Sequence, residues 1–292
     1  MATPKNIIRL LRPEQWLKNS LIFMPLFFAQ RITDMSELIA TSLAFIIFSL
    51  LSSAVYCFND ICDMEADKAH PEKCRRPVAA GLVGKKTAYL VMGFAILLAT
   101  LVFFISSLSF SVLYLCLFYL VLNILYSLYL KKLPILDVFI ISIGFVVRLF
   151  VGGLSGSVVL SHWIIIITFL LALFLAFSKR KNDCLIYEKS GVLLRKNVSS
   201  YNSNFLDMTL AILSAAIIVS YIMYTVSAEV VERIGSNYLY TTAIFVLLGL
   251  LRYLQLIVVD GCGSPTKILL KDRPIQLILA GWILLFAAFL YF

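Results

Sequence analysis

Apolar residues run through this chain in long blocks, each about the length of one membrane-spanning helix, separated by short polar stretches that are mostly basic. Nine blocks predict nine crossings, at roughly 17–33, 37–58, 87–106, 108–130, 135–156, 161–178, 207–227, 238–258 and 274–292. The first is short and contains Pro25. The alternating in–out pattern of a membrane β-barrel is absent. Composition agrees: 61% of residues are hydrophobic and the mean hydropathy is +0.96, more apolar surface than a soluble domain of 292 residues can bury. The predicted class is an all-α integral membrane protein, with residues 1–292 forming one polytopic membrane domain. The connecting loops are too short for an appended soluble domain.

Charge changes this picture by giving it a direction. With the N-terminus placed in the cytoplasm, 21 of the 25 Lys and Arg residues fall in the N-terminal arm and the loops after blocks two, four, six and eight. The opposite loops hold only Arg31 and Arg233, and Arg148 and Arg252 lie within blocks. The positive-inside rule therefore predicts a multi-pass protein of the cell inner or plasma membrane whose motif-bearing loops face the cytoplasm. The basic excess serves topology and anionic ligands, not a nucleic acid. The sequence carries no sign of oligomeric state. Six cysteines, none in a CxxC pair, predict no disulfide framework, and two histidines leave little for zinc. Gly152, Gly153 and Gly156 close the fifth block as a close-packing stripe.

The candidate chemistry begins where the second block ends. Asn59, Asp63 and Asp67 recur every four residues, which stacks three oxygen donors on one helical face, and His70, Lys73, Arg75 and Arg76 follow. Carboxylates beside a basic cluster at a membrane surface suit Mg²⁺ shared with substrate phosphates, the cations holding the oxygens that the metal does not reach. Asp60 and Glu65 lie off that face and are read as solvated. In RPEQWLKN, Arg12 to Asn19, helical spacing puts Gln15, Lys18 and Asn19 on one side, which reads equally as a solvated face or as a set reaching a diphosphate, while Trp16 suits an interfacial anchor. Tyr126 and Lys131 precede the fifth block. Asp137 and Arg148 sit within it, three helical turns apart, as charges at a depth that defaults to function or to a structural ion pair. After the sixth block comes SKRKNDC, with Lys179, Arg180, Lys181 and Asp183, followed by Tyr201 and Asn204. Near the C-terminus, GCGSP marks a turn, and Lys271, Asp272 and Arg273 open the last block.

These residues resemble the UbiA superfamily of intramembrane prenyltransferases. The superfamily pattern N-x-x-x-D-x-x-x-D falls on Asn59, Asp63 and Asp67. Within the superfamily, the RP-x-QW-x-KN opening, the stretch from Asn59 through Gly81, Leu130 to Asp137, Gly144 to Gly152, the KR pair and the DRPIQ ending resemble the decaprenyl-phosphate phosphoribosyltransferase subfamily. The resemblance implies a bundle of about nine helices around a central cavity open to the cytoplasm. It implies a Mg²⁺-dependent transfer of 5-phosphoribosyl from phosphoribosyl pyrophosphate to a polyprenyl phosphate, releasing pyrophosphate. The ligand set would be Asn59, Asp63 and Asp67. Lys18, Lys73 and Arg76 would neutralise the diphosphate, and Lys131, Arg148, Lys179 and Arg180 would hold the lipid phosphate or the ribose 5-phosphate. Where aromatic prenyltransferases of the superfamily carry a second D-x-x-x-D motif, this chain has KRKNDC. Two other readings stay open: transfer of a prenyl group from a prenyl diphosphate to an acceptor, and a non-enzymatic lipid transporter or scaffold.

Overall fold

The computed structural model describes residues 3–70, 73–190, 198–259, 268 and 271–291. Pro71, Arg195, Lys196, the GCGSP turn with Cys262, and Lys267 lie outside the described residues. The described chain is helical throughout: α1 (Pro4–Leu11), a 3₁₀ segment (Pro13–Phe23), α2 (Met24–Phe28), α3 (Met35–Cys62), α4 (Met64–Lys68), α5 (Lys85–Ile105), α6 (Phe110–Leu128), α7 (Leu136–Ser155), α8 (His162–Ser190), α9 (Ser203–Val226), α10 (Ala228–Ile234), α11 (Ala243–Val258) and α12 (Arg273–Tyr291). Among the described residues, eight segments are long and apolar enough to cross a bilayer, making this a multi-pass membrane protein.

The predicted first crossing differs in kind. Its α-helical pattern does not form; an eleven-residue 3₁₀ run leads into the five residues of α2. At about 2 Å per residue for the first and 1.5 Å for the second, the pair still extends about 30 Å, one hydrocarbon thickness. It runs antiparallel to α3. Ser53 Oγ donates to the Leu11 carbonyl and accepts from Trp16 Nε1, Asn19 Nδ2 donates to Ser49 Oγ at 3.0 Å, and the rings of Phe23 and Phe45 pack 5.5 Å apart. Small serines on α3 set this close approach. Trp16 is therefore an internal polar tie rather than the interfacial anchor its position predicts.

The chain divides into two compact units, one of residues Met1–Lys131 and Val147–Leu160, the other of Lys132–Val146 and Ser161–Phe292. In the first, α3 packs against α5, α6, α1 and the 3₁₀ segment. Asp34 caps α3, accepting from the Ser36 and Glu37 amides at 3.0 and 3.3 Å. The predicted glycine stripe is close packed. A Cβ at Gly152 would overlap the carbonyl oxygen of Ile22, and one at Gly156 would come within 2.7 Å of Leu26. In the second unit, α9 packs on α8 and α11, and α11 on α12, around a core that includes Phe174, Phe177, Leu206, Leu210, Tyr253 and Ile257.

The two longest described helices each carry a charged cluster of their own unit. α3 and α8 have 28 and 29 residues. At about 1.5 Å per residue each exceeds 40 Å, longer than the roughly 30 Å thickness of a hydrocarbon core. The charged clusters sit on or beside the C-terminal ends of these two helices.

Candidate active site

In the first unit, α3 ends at Cys62 and α4 begins at Met64, with Asp63 between them at φ −95°, ψ 4°. The i to i−4 amide bonds nevertheless continue, from Asp63 to Asn59 at 2.9 Å and from Asp67 to Asp63 at 2.8 Å. The four-residue register read from the sequence thus survives the helix junction. Each acid meets a cation. Lys131 pairs with Asp63, both side chains about a quarter exposed. Arg76 Nη1 pairs with Asp67 Oδ2 at 2.6 Å and with Asp60 Oδ1 at 3.2 Å. Arg12 Nη2 also pairs with Asp60 Oδ1. Asp60, predicted to be solvated, is 1% exposed. One residue past Asn59 turns it onto the buried stripe of Ser53, Cys57 and Ile61, where a carboxylate stays ionised only against counter-charges. Glu65 is exposed, as predicted, and pairs with Lys68.

The donor set suits a hard cation. The buried Asn59 Oδ1 has no hydrogen-bond partner, and Asp63 and Asp67 add carboxylate oxygens on the same face. Among the described residues, no three His, Cys, Asp or Glu side chains form a complete metal site. Two carboxylates and an amide oxygen would make a partial shell, the kind that Mg²⁺ completes with water and substrate phosphate.

The other first-unit candidates divide by burial. His70 Nδ1 accepts from the Lys73 amide at 3.3 Å, and the Arg75 carbonyl accepts from Arg9 Nη2 at 3.3 Å. Gln15 is half-buried and Lys18 exposed, stacked by the 3₁₀ period of three. That same period turns Asn19 off their side and into the protein. Asn19 is fully buried; besides its bond to Ser49, its Oδ1 accepts from Arg148 Nε at 2.8 Å. Arg148 is 5% exposed, lies 5.0 and 5.2 Å from the ring centroids of Phe48 and Tyr119, and donates to the Tyr119 hydroxyl at 3.3 Å. Tyr126 is half-buried.

The second unit holds a different cluster. Arg180 Nε and Nη2 donate to Asp137 Oδ2 at 2.9 and 2.6 Å, both side chains being at most 2% exposed. Asp183 lies 3.7 Å from Arg180 on the same helix. The Tyr201 hydroxyl accepts from the Ile135 amide at 2.6 Å and donates to Asp137 Oδ1 at 3.5 Å. Burial raises the Tyr201 hydroxyl pKa and keeps it a donor. Ile135 has φ +67°, a backbone that a β-branched residue rarely adopts. Lys181 pairs with Asp207. Lys179 is exposed. Asp137 and Arg148, predicted to line one cavity from one face of α7, belong to different units and different clusters. Sequence reasoning missed Arg12, Tyr119 and Asp207; the charge of Arg12 in the RP pair was its only signal.

A decaprenyl-phosphate phosphoribosyltransferase of Mycolicibacterium smegmatis is 32% identical, covering 99% of this chain and 95% of the relative. One of Corynebacterium glutamicum is 30% identical over 96% of this chain and 86% of the relative. A UbiA homolog from Archaeoglobus fulgidus, solved bound to GPP and Mg²⁺, superposes with a TM-score of 0.73 at 21% identity, covering 98% of this chain and all of that one. The profile of the UbiA prenyltransferase family matches residues 20–258, and with these relatives it establishes that the chain belongs to that family.

Proposed function

We propose that the protein transfers 5-phosphoribosyl from phosphoribosyl pyrophosphate to a polyprenyl phosphate and releases pyrophosphate, at the cytoplasmic face of the membrane. The observation that carries this reading is an asymmetry in acids. One end of α3 presents the all-oxygen set Asn59, Asp63 and Asp67, whereas the corresponding stretch of α8 is basic, and its buried cations are matched by Asp137 and Asp207. One partial metal shell suits one diphosphate, and the other substrate then brings a lone phosphate. The activity named for the relatives supports the same assignment.

Asn59, Asp63 and Asp67 would hold Mg²⁺, which when bound withdraws charge from the diphosphate leaving group. Lys18, Lys73 and Arg76 neutralise diphosphate oxygens that the shell does not reach. An oxygen of the lipid phosphate forms the new bond to ribose C1 as the bond from C1 to the diphosphate oxygen breaks, on the opposite face. The phosphate is anionic at neutral pH, so no general base is required, in keeping with a chain that has two histidines. Lys131 and Arg148, both in the first unit, are the candidate ligands for the lipid phosphate or the ribose 5-phosphate. Asn19 and Tyr119 orient the Arg148 guanidinium. Arg180, spent on Asp137, is framework in this assignment.

Purified protein in lipid nanodiscs, given phosphoribosyl pyrophosphate, polyprenyl phosphate and Mg²⁺, should convert the lipid to a species heavier by one phosphoribosyl group, read by mass spectrometry. Consumption of a prenyl diphosphate, with phosphoribosyl pyrophosphate untouched, would reject the assignment.

A further inference from the structure

Arg12 and Asp60 have no place in the assignment above, yet among the described residues they make the most buried ionic contact of the first unit. Asp60 is 1% exposed, while Arg12 and Arg76, which share its Oδ1, are 16% and 23% exposed. The anion is thus an anchor at the bottom and the two guanidinium groups stand above it. Arg12 has φ +51°, a left-handed conformation uncommon for a side chain of its size, at the junction of α1 and the 3₁₀ segment. Its guanidinium lies 5.0 Å from the centroid of the Tyr56 ring, one turn before Asp60 on α3. Backbone, ring and carboxylate together fix its direction.

The hydrogen-bond pattern is incomplete in an informative way. Asp60 Oδ2 is buried and accepts nothing. A buried carboxylate oxygen without a partner is uncommon, and beside two partly open guanidinium groups it leaves room for a rearrangement around a bound anion. Among the described residues, Arg12 uses Nη2 and Arg76 uses Nη1 for these carboxylates. A guanidinium has five N–H donors in a rigid fork, so most of each fork remains for another anion. Arg76 bridges Asp60 to Asp67, which sets the pair beside the proposed metal-binding aspartates.

We infer that Asp60 is a positioning residue that aims Arg12 and Arg76 as a two-pronged cradle for the diphosphate of the donor, and that Arg12 is a phosphate-binding residue. This rests on the reading of a diphosphate at Asp63 and Asp67. A single buried carboxylate holding two forks gives planar recognition of phosphate oxygens that scattered lysines do not supply.

The test uses the whole protein in nanodiscs and inorganic pyrophosphate with Mg²⁺, measured by calorimetry, alongside steady-state kinetics with phosphoribosyl pyrophosphate. Asp60→Asn keeps shape but removes the anchor charge. It should weaken pyrophosphate binding by about tenfold or more, the scale of one charge-assisted hydrogen bond, and raise KM by a similar factor. Arg12→Met should do likewise, and the double variant should fall short of the product of the two singles, because the residues act as one device. Arg12→Lys keeps the charge without the fork and should recover only part of the loss. Should Asp60→Asn fail to fold, the two Arg12 variants decide. A lowered thermal midpoint with wild-type pyrophosphate affinity would mark the contact as structural and overturn the cradle, as would unimpaired binding in both Arg12 variants or no pyrophosphate binding by the wild type. If pyrophosphate binding follows the expected pattern but phosphoribosyl pyrophosphate is not consumed, the cradle stands and the donor assignment falls.

Discussion

The charged cluster at the end of α3 and the one toward the end of α8 are built from the same kinds of side chain, and they differ in how completely those side chains satisfy one another. At α8, Arg180 gives two N–H groups to Asp137, Tyr201 adds a third donor, and hardly any of the pair is exposed. At α3, Asp63 and Lys131 are about a quarter exposed, Arg12 and Arg76 are partly open, and two buried oxygens, on Asn59 and Asp60, accept nothing. A saturated buried pair fixes helices. An unsaturated set of charges, ordered but open, is equipped to receive an ion or a phosphate. The comparison teaches that charge at depth identifies a site only when some of its hydrogen-bonding capacity is left over.

The largest expected effect breaks the comparison at its centre. Asp63→Ala removes a proposed metal oxygen from the α3 cluster, on a side chain exposed enough that the fold does not depend on it. Turnover should fall by at least about a thousandfold, the scale of losing a principal electrostatic stabiliser of the leaving group. The thermal midpoint should stay close to wild type. Undiminished activity with Mg²⁺ present would end the metal assignment and put the two clusters on an equal footing.

The same operation at α8 should act through stability. Arg180→Met leaves Asp137 buried without its main counter-charge and should cost about 3–5 kcal/mol. The double variant Asp137→Leu with Arg180→Met removes both charges and should recover most of that loss. Folded yield and unfolding midpoint in detergent report both. If the single variant is as stable as wild type but lacks activity, Arg180 belongs with the substrate ligands and the distinction between the clusters fails.

What the sequence made legible follows from the range of each interaction. Block length fixes membrane helices locally: α3, α5, α6, α7, α9, α11 and α12 follow the predicted blocks closely, whereas α8 runs on to Ser190, past its block, and α10 (Ala228–Ile234) falls between two blocks. The four-residue register of Asn59, Asp63 and Asp67 is likewise local and persists across the junction at Asp63. The pairing of Asp137 with Arg180 joins positions 43 apart, and that of Arg12 with Asp60 joins positions 48 apart; no local pattern encodes either. The 3₁₀ run was hidden for a related reason. Its apolar pattern suits an α-helix, but the serines of α3 and the bare backbone of Gly152 draw it into a narrower groove than an α-helix occupies. Asp60 lies off the face of Asn59, Asp63 and Asp67, which by itself suggests solvent, but the buried stripe through Cys57 and Ile61 is the stronger constraint.

The smallest effect compares two acids away from these clusters, each capping a helix in its own unit. Asp34 accepts from the Ser36 hydroxyl and from the Ser36 and Glu37 amides, and these hydrogen bonds hold its pKa below the ordinary 3.8. Asp272 is held below the same value first by Arg252, whose Nη2 lies 2.7 Å from Oδ2, and then by the Ile275 amide. A carboxyl whose folded pKa lies below its unfolded one adds stability that is complete above the unfolded value and lost as pH falls through the folded value. Both caps should therefore weaken as the pH drops below about 4, close to the unperturbed carboxyl value. Asp34→Asn keeps a good cap that no longer titrates, so it should leave the midpoint at pH 7 nearly unchanged and flatten its decline in acid. Added salt should screen the partly exposed Arg252 pairing and reduce the Asp272 contribution, while leaving the amide bonds of Asp34 largely intact. An acid midpoint equally sensitive to salt in wild type and in an Arg252→Gln variant would show that Asp272 draws its low pKa from the helix end, as Asp34 does, and not from its arginine.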